Sequence, residues 1–172
     1  MSALSEIPHF YPFSSTSPLT PQSAERITNT NERRFADALL TLQSATSIEW
    51  VTLAIFHEPG KVIPPPEIKG HCRSHTIPDF LIIAQFQTTV AQLQSEATIF
   101  YEIGSRPQTK TGKFKRAKAK QRRSLLSTDQ FVGVIGDTQL SEIEKLLTEN
   151  ELAEVLALIF RYANVALPAC NR

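Results

Sequence analysis

The chain has 172 residues, 41% hydrophobic and 20% charged, which suits one globular domain with a sizeable core rather than two domains. No apolar run approaches the roughly 18 residues that span a bilayer, and the first residues lack a basic region followed by a hydrophobic stretch, so a cytoplasmic protein without membrane contact is expected. The net charge of +1 hides a polarised chain: nine of the 18 Lys and Arg residues (Arg106, Lys110, Lys113, Lys115, Arg116, Lys118, Lys120, Arg122 and Arg123) fall in one segment, and no acid stands between Glu102 and Asp129. Such a segment offers a local cationic surface to a polyanion.

In chain order, residues 1–24, with "PHFYPFSSTSPLTPQS", are rich in Pro and Ser and lack helical or strand period. They are expected to be a mostly disordered arm, or one that docks Phe10, Tyr11 and Phe13 on a partner subunit. Residues 25–172 are read as a single domain. "TNTNERRFADALLTLQ" spaces Phe35, Leu39 and Leu42 as one helical face behind Thr and Asn caps, predicting a helix over about 29–44. "SIEWVTLAIF" reads as a strand. "HEPGKVIPPPEIKGHCRSH", with two Gly and four Pro, reads as a long loop or irregular hairpin.

"IPDFLIIAQF" and "ATIFYEIG" are two further strands, joined by the polar "QTTVAQLQSE". "KFKRAKAKQRRSLL" is built of helix formers and predicts a basic helix. "QFVGVIG" is short and apolar enough for a strand buried on both faces. "TQLSEIEKLL" and "ELAEVLALIFRYA" predict two closing helices, with Thr148 and Glu151 as a capping box between them. The order α-β-β-β-α-β-α-α specifies an α/β fold with a mixed four-stranded sheet flanked by helices.

Two acids interrupt apolar strands. Strand alternation groups Asp79 with Leu81 and Ile83, and Glu102 with Thr98 and Phe100. If the two strands are neighbours, the carboxylates converge. Like charges that close are best tolerated around a divalent cation, and Mg²⁺ suits hard oxygen donors.

Pro78-Asp79, then Glu102 near the end of the next strand, then a basic helix and a short apolar strand, resembles the PD-(D/E)XK nuclease superfamily over about residues 29–136. The resemblance implies a restriction-endonuclease-like αβββαβ core, here with two extra C-terminal helices. It implies Mg²⁺-dependent (or Mn²⁺-dependent) hydrolysis of phosphodiesters by a metal-activated water, in DNA rather than RNA. By position it gives Asp79, Glu102 and the backbone carbonyl of Ile103 as metal ligands. Glu32 matches an acid that many members carry on the first helix; the alternative is a solvated residue paired with an Arg.

The family's usual Lys, two positions after the second acid, is Gly104 here. Lys118 and Gln121 on the basic helix, or Arg106, are the candidates to replace it. Arg106, Lys110, Lys113, Lys115, Arg116, Lys120, Arg122 and Arg123 would grip the phosphates. If no cation reaches the site, the chain is expected to be a nucleic-acid-binding or assembly subunit without catalysis, or a module whose basic helix meets an acidic protein.

His71, Cys72 and His75 fall short of the four ligands of a structural zinc site, and the only other cysteine, Cys170, is remote in sequence, so both read as reduced thiols. No nucleophile elbow or Gly-rich phosphate loop is present. "EVLALIFRYANVAL" is apolar nearly all round, which predicts either a central packing helix or a subunit interface. A homodimer would supply two sites for cutting both strands of a duplex.

Overall fold

The computed structural model describes Leu4, Ile7 and residues 10–62, 77–87, 95–104 and 130–165. In chain order these form β1 (Phe10–Pro12), α1 (Pro21–Ala24), α2 (Thr30–Gln43), β2 (Val51–His57), β3 (Gly60–Val62), β4 (Phe80–Phe86), β5 (Ser95–Ile103), β6 (Gln130–Ile135), α3 (Asp137–Thr148) and α4 (Leu152–Tyr162). Strands β2, β4, β5 and β6 lie side by side in that order as one sheet, and β1 pairs with β3 as a separate ribbon. The β2–β4 and β4–β5 ladders are antiparallel, whereas β5 and β6 run parallel. The protein is therefore α/β with a mixed four-stranded sheet. No helix among the described residues is long and apolar enough to cross a membrane.

The two faces of the sheet are covered differently. Ile55, Phe80, Ile82, Ile99, Tyr101 and Ile135 belong to the larger core, with Phe35 and Leu39 of α2, Leu140 and Ile143 of α3, and Ile159 and Phe160 of α4. Helix α2 starts where Asn29 accepts a hydrogen bond from the N–H of Glu32, which satisfies one of the free amides of the first turn. Its Phe35 meets the rings of Phe80 and Tyr101 edge-on, with centroids 5.1 and 5.2 Å apart. Tyr101 is buried on β5 and its hydroxyl donates to the carbonyl of Ile159, 2.7 Å away. Gly133 stands beside Tyr101 in the β5–β6 register, and a Cβ there would come within 2.7 Å of the ring.

Helix α4 is the packing helix: Val155, Leu156, Ile159 and Phe160 are buried, and Leu152, Leu158 and Tyr162 pack against the same core. That accounts for its all-round apolar sequence within one chain. Both closing helices end on an asparagine in the left-handed region, Asn150 at φ 58° and Asn164 at φ 59°. In each, the following N–H reaches back across the turn, Glu151 to the Leu146 carbonyl and Val165 to that of Phe160. The predicted capping box does not form. Thr148 Oγ1 instead donates to the Glu144 carbonyl within α3, and Glu151, the cap of α4, makes no side-chain capping bond.

The opposite face carries Phe56, Leu81, Ile83, Phe100 and Val132, and it is covered by Leu4, Ile7, Phe10 and Val62. Of the expected disordered or partner-docking arm at 1–24, the described residues Leu4, Ile7 and 10–24 lie against their own chain. Phe10 pairs with Val62 in the β1–β3 ribbon and its ring lies 6.0 Å from that of Phe100. Leu19 is buried in the larger core and its N–H donates to the Ile55 carbonyl, while Thr20 caps α1. Tyr11 is exposed, and Phe13 lies under Lys61 of the same chain. The physical reason is plain: an apolar sheet face needs a cover, and the few large residues of a Pro- and Ser-rich segment contribute to it. The predicted loop after His57 likewise begins with strand β3, whose Gly60 lies against Tyr11 so closely that a Cβ would meet its carbonyl.

Candidate functional site

The ends of β2 and β5 and the start of β4 meet at one end of the sheet. Phe80 pairs with Tyr101, so one further step of that register sets Asp79 opposite Glu102. Alternation along β5 puts Glu102 on the face of Phe100 and away from the buried Tyr101 ring. Both acids are buried, Glu102 completely and Asp79 at 7% exposure, and neither is without a partner. Pro78 precedes Asp79, and the chain there departs from the β4–β5 ladder. The freed position is taken by the side chain: Asp79 Oδ2 accepts the N–H of Ile103 at 2.7 Å.

The end of β5 is held firmly. Gly104 donates its N–H to the Ile135 carbonyl at 2.8 Å and accepts from Asn31 Nδ2 at 3.2 Å. Asn31 also donates to Asp137 at 2.7 Å and accepts from Arg34 at 3.2 Å. Arg34 reaches Glu144 with both nitrogens of a fork, Nε at 3.1 Å from Oε2. Its hydrogen bond to Arg34 lowers the pKa of Glu144 despite partial burial, and the same bond raises that of Arg34. The first turn of α2, the start of α3 and the exit of β5 are thus one polar joint.

Glu32 points elsewhere. It leaves α2 on the helical face of the sheet, where His57 Nε2 donates to its Oε1 at 2.8 Å. A solvated Arg pair does not describe it, since Glu32 is half-buried against His57. His57 ends β2, its ring 5.0 Å from that of Phe80. Glu58 follows in the left-handed region at φ 46°, with its Oε1 4.0 Å from His57 Nε2 and its N–H donating to the Asp79 carbonyl at 3.0 Å. The ligand atoms of Glu32, His57 and Glu58 all lie within 4.8 Å of one another. Among the described residues no such group of three includes Asp79 or Glu102.

His57 and Glu58 went unassigned in the sequence because they open a segment dominated by Pro and Gly. The signal available was faint: two polar residues at the last position of an apolar strand and the next. Arg106, Lys110, Lys113, Lys115, Arg116, Lys118, Lys120, Gln121, Arg122 and Arg123 lie outside the described residues, as do His71, Cys72, His75 and Cys170. The chain leaves the described residues after Gly104, two positions beyond Glu102, and returns at Gln130 beside Thr98.

No protein-family model, curated protein or solved structure matches the chain.

Proposed function

We propose that the protein is a metal-dependent nuclease acting on DNA, with a restriction-endonuclease-like arrangement of its sheet and with Asp79, Glu102 and the Ile103 carbonyl as ligands of Mg²⁺. The observation that carries the reading is the hydrogen bond from the Ile103 N–H to Asp79, one residue beyond the buried Glu102. An extended residue turns its N–H and C=O to the same side of the strand, so the Ile103 carbonyl looks toward the same end of β4 as its N–H. Two carboxylates and a carbonyl are a hard oxygen set of the kind that suits Mg²⁺. A bound Mg²⁺ would supply Lewis acidity toward a phosphoryl oxygen and acidify a water.

The chain's own residues have simpler tasks. Asp79 and Glu102 hold the ion and balance its charge. The joint through Asn31, Arg34 and Asp137 keeps the exit of β5 in place while substrate binds. The basic residues from Arg106 to Arg123 begin two positions after Gly104, close in sequence to the carboxylates, and neutralise the phosphate backbone.

The test is nicking of supercoiled plasmid in Mg²⁺. Cleavage is expected to vanish with EDTA and to fall by roughly a hundredfold or more in Asp79→Asn and in Glu102→Gln, as for loss of a main electrostatic contributor. Undiminished cleavage in both variants would move the site elsewhere. A second reading, a non-catalytic nucleic-acid-binding subunit, is favoured by Gly104, whose backbone serves as an anchor and which carries no ammonium. Salt-sensitive DNA binding without nicking under any divalent ion would establish that alternative.

A further inference from the structure

At the same end of the sheet, on its helical face, stands a cluster that the nuclease reading does not use. We propose that Glu32, His57 and Glu58 form a second metal site, one that takes a borderline first-row cation of the Zn²⁺ type in preference to Mg²⁺.

The donor set is one imidazole nitrogen and two carboxylate oxygens. Imidazole suits Zn²⁺ and its neighbours, whereas Mg²⁺ prefers oxygen alone. Zinc bonds to nitrogen and oxygen are about 2.0–2.2 Å long, so two donors on one ion stand at most about 4.4 Å apart. His57 Nε2 is 2.8 Å from Glu32 Oε1 and 4.0 Å from Glu58 Oε1. Small side-chain rotations therefore bring all three donors around one ion. They come from two places in the chain, the first turn of α2 and the consecutive pair at the end of β2, so the main chain already holds the group together.

Two features distinguish this group from a chance surface cluster. Glu32 and His57 are half-buried, at 12% and 22% side-chain exposure, while Glu58 is open at 56%. His57 and Glu58 also line a cavity of about 140 Å³ with Ser15, Thr16, Ser17, Leu19 and Ser23, so water can reach these two donors. Glu58 moreover holds a left-handed backbone at φ 46°, which a glutamate adopts only at a cost and which glycine would adopt freely.

That conformation also supplies the test. Glu58→Gly keeps the backbone and removes the ligand, so lost binding cannot be blamed on unfolding. Full-length protein freed of metal with EDTA would be titrated with Zn²⁺ by calorimetry and with Co²⁺ by visible absorption, circular dichroism checking each fold. His57→Ala and Glu58→Gly are expected to weaken Zn²⁺ binding by at least about tenfold, the lower end of what even outer-shell changes cost. The Asp79→Asn/Glu102→Gln pair should leave that binding in place, so failure of this site and failure of the nuclease reading are told apart. Wild-type affinity in both His57→Ala and Glu58→Gly would overturn the proposal. So would no Zn²⁺ uptake by the wild type, or a cobalt–thiolate charge-transfer band, which would assign the metal to a cysteine.

Discussion

The two faces of the sheet use the same strands to different ends. The helical face is a continuous apolar core in which Phe35, Phe80 and Tyr101 interlock and three long helices contribute buried side chains. Among the described residues, the other face is covered by Leu4, Ile7, Phe10 and Val62, and it ends in two buried acids. A strand shared between such faces must alternate a large apolar residue with whatever the second face requires, and β5 does so: Ile99, Tyr101 and Ile103 face the helices, while Thr98, Phe100 and Glu102 face away. The helical side supplies rigidity, which lets the other side keep costly carboxylates in place.

The sharpest way to test that division is to remove one aromatic from each side. Phe35→Ala should cost about 3–5 kcal/mol, the usual range for a fully buried phenylalanine. Phe10→Ala should cost less, because its strand belongs to a short two-stranded ribbon rather than to the four-stranded sheet, and it should release the β1–β3 ribbon first. Urea unfolding reads the free energies, and hydrogen exchange at β3 reads the ribbon. Equal losses would mean that the two covers are energetically alike.

A smaller effect is expected at Tyr101. Replacing it by Phe leaves the Ile159 carbonyl without its donor, at a cost of about 1–3 kcal/mol. Burial raises the Tyr101 pKa well above its ordinary value of 10.0. The folded state thus favours the neutral phenol, so this contribution is complete below the unfolded value and declines as pH rises above it. Alkaline unfolding should therefore be shallower in Tyr101→Phe than in the wild type, measured by thermal melts from neutral pH to above pH 10.

The smallest effect concerns the joint beneath β5. Glu144 has its pKa lowered chiefly by the hydrogen bond from Arg34. A lowered carboxylate contributes stability above its unfolded pKa and loses it as pH falls through the folded value. Glu144→Gln should thus cost under about 1 kcal/mol at neutral pH, since the pair is partly exposed, and should flatten the acid limb of the stability curve. A change larger than that of Tyr101→Phe would show the joint to be a main support.

Much of this molecule could be read from local pattern. The spacing of Phe35, Leu39 and Leu42 behind Asn29 specified α2, the β-branched runs specified β2, β4, β5 and β6, and alternation grouped Glu102 with Phe100 and Asp79 with Leu81, because those periodicities belong to the backbone itself. Local pattern could not say that residues 10–24 fold back on the sheet. That outcome depends on how much apolar surface other parts of the chain leave uncovered. Nor could it bring Glu32, His57 and Glu58 together, or turn the Asp79 carboxylate onto the Ile103 N–H. Those contacts join positions 24 to 26 residues apart, and only the register and packing of whole elements fix distances of that kind.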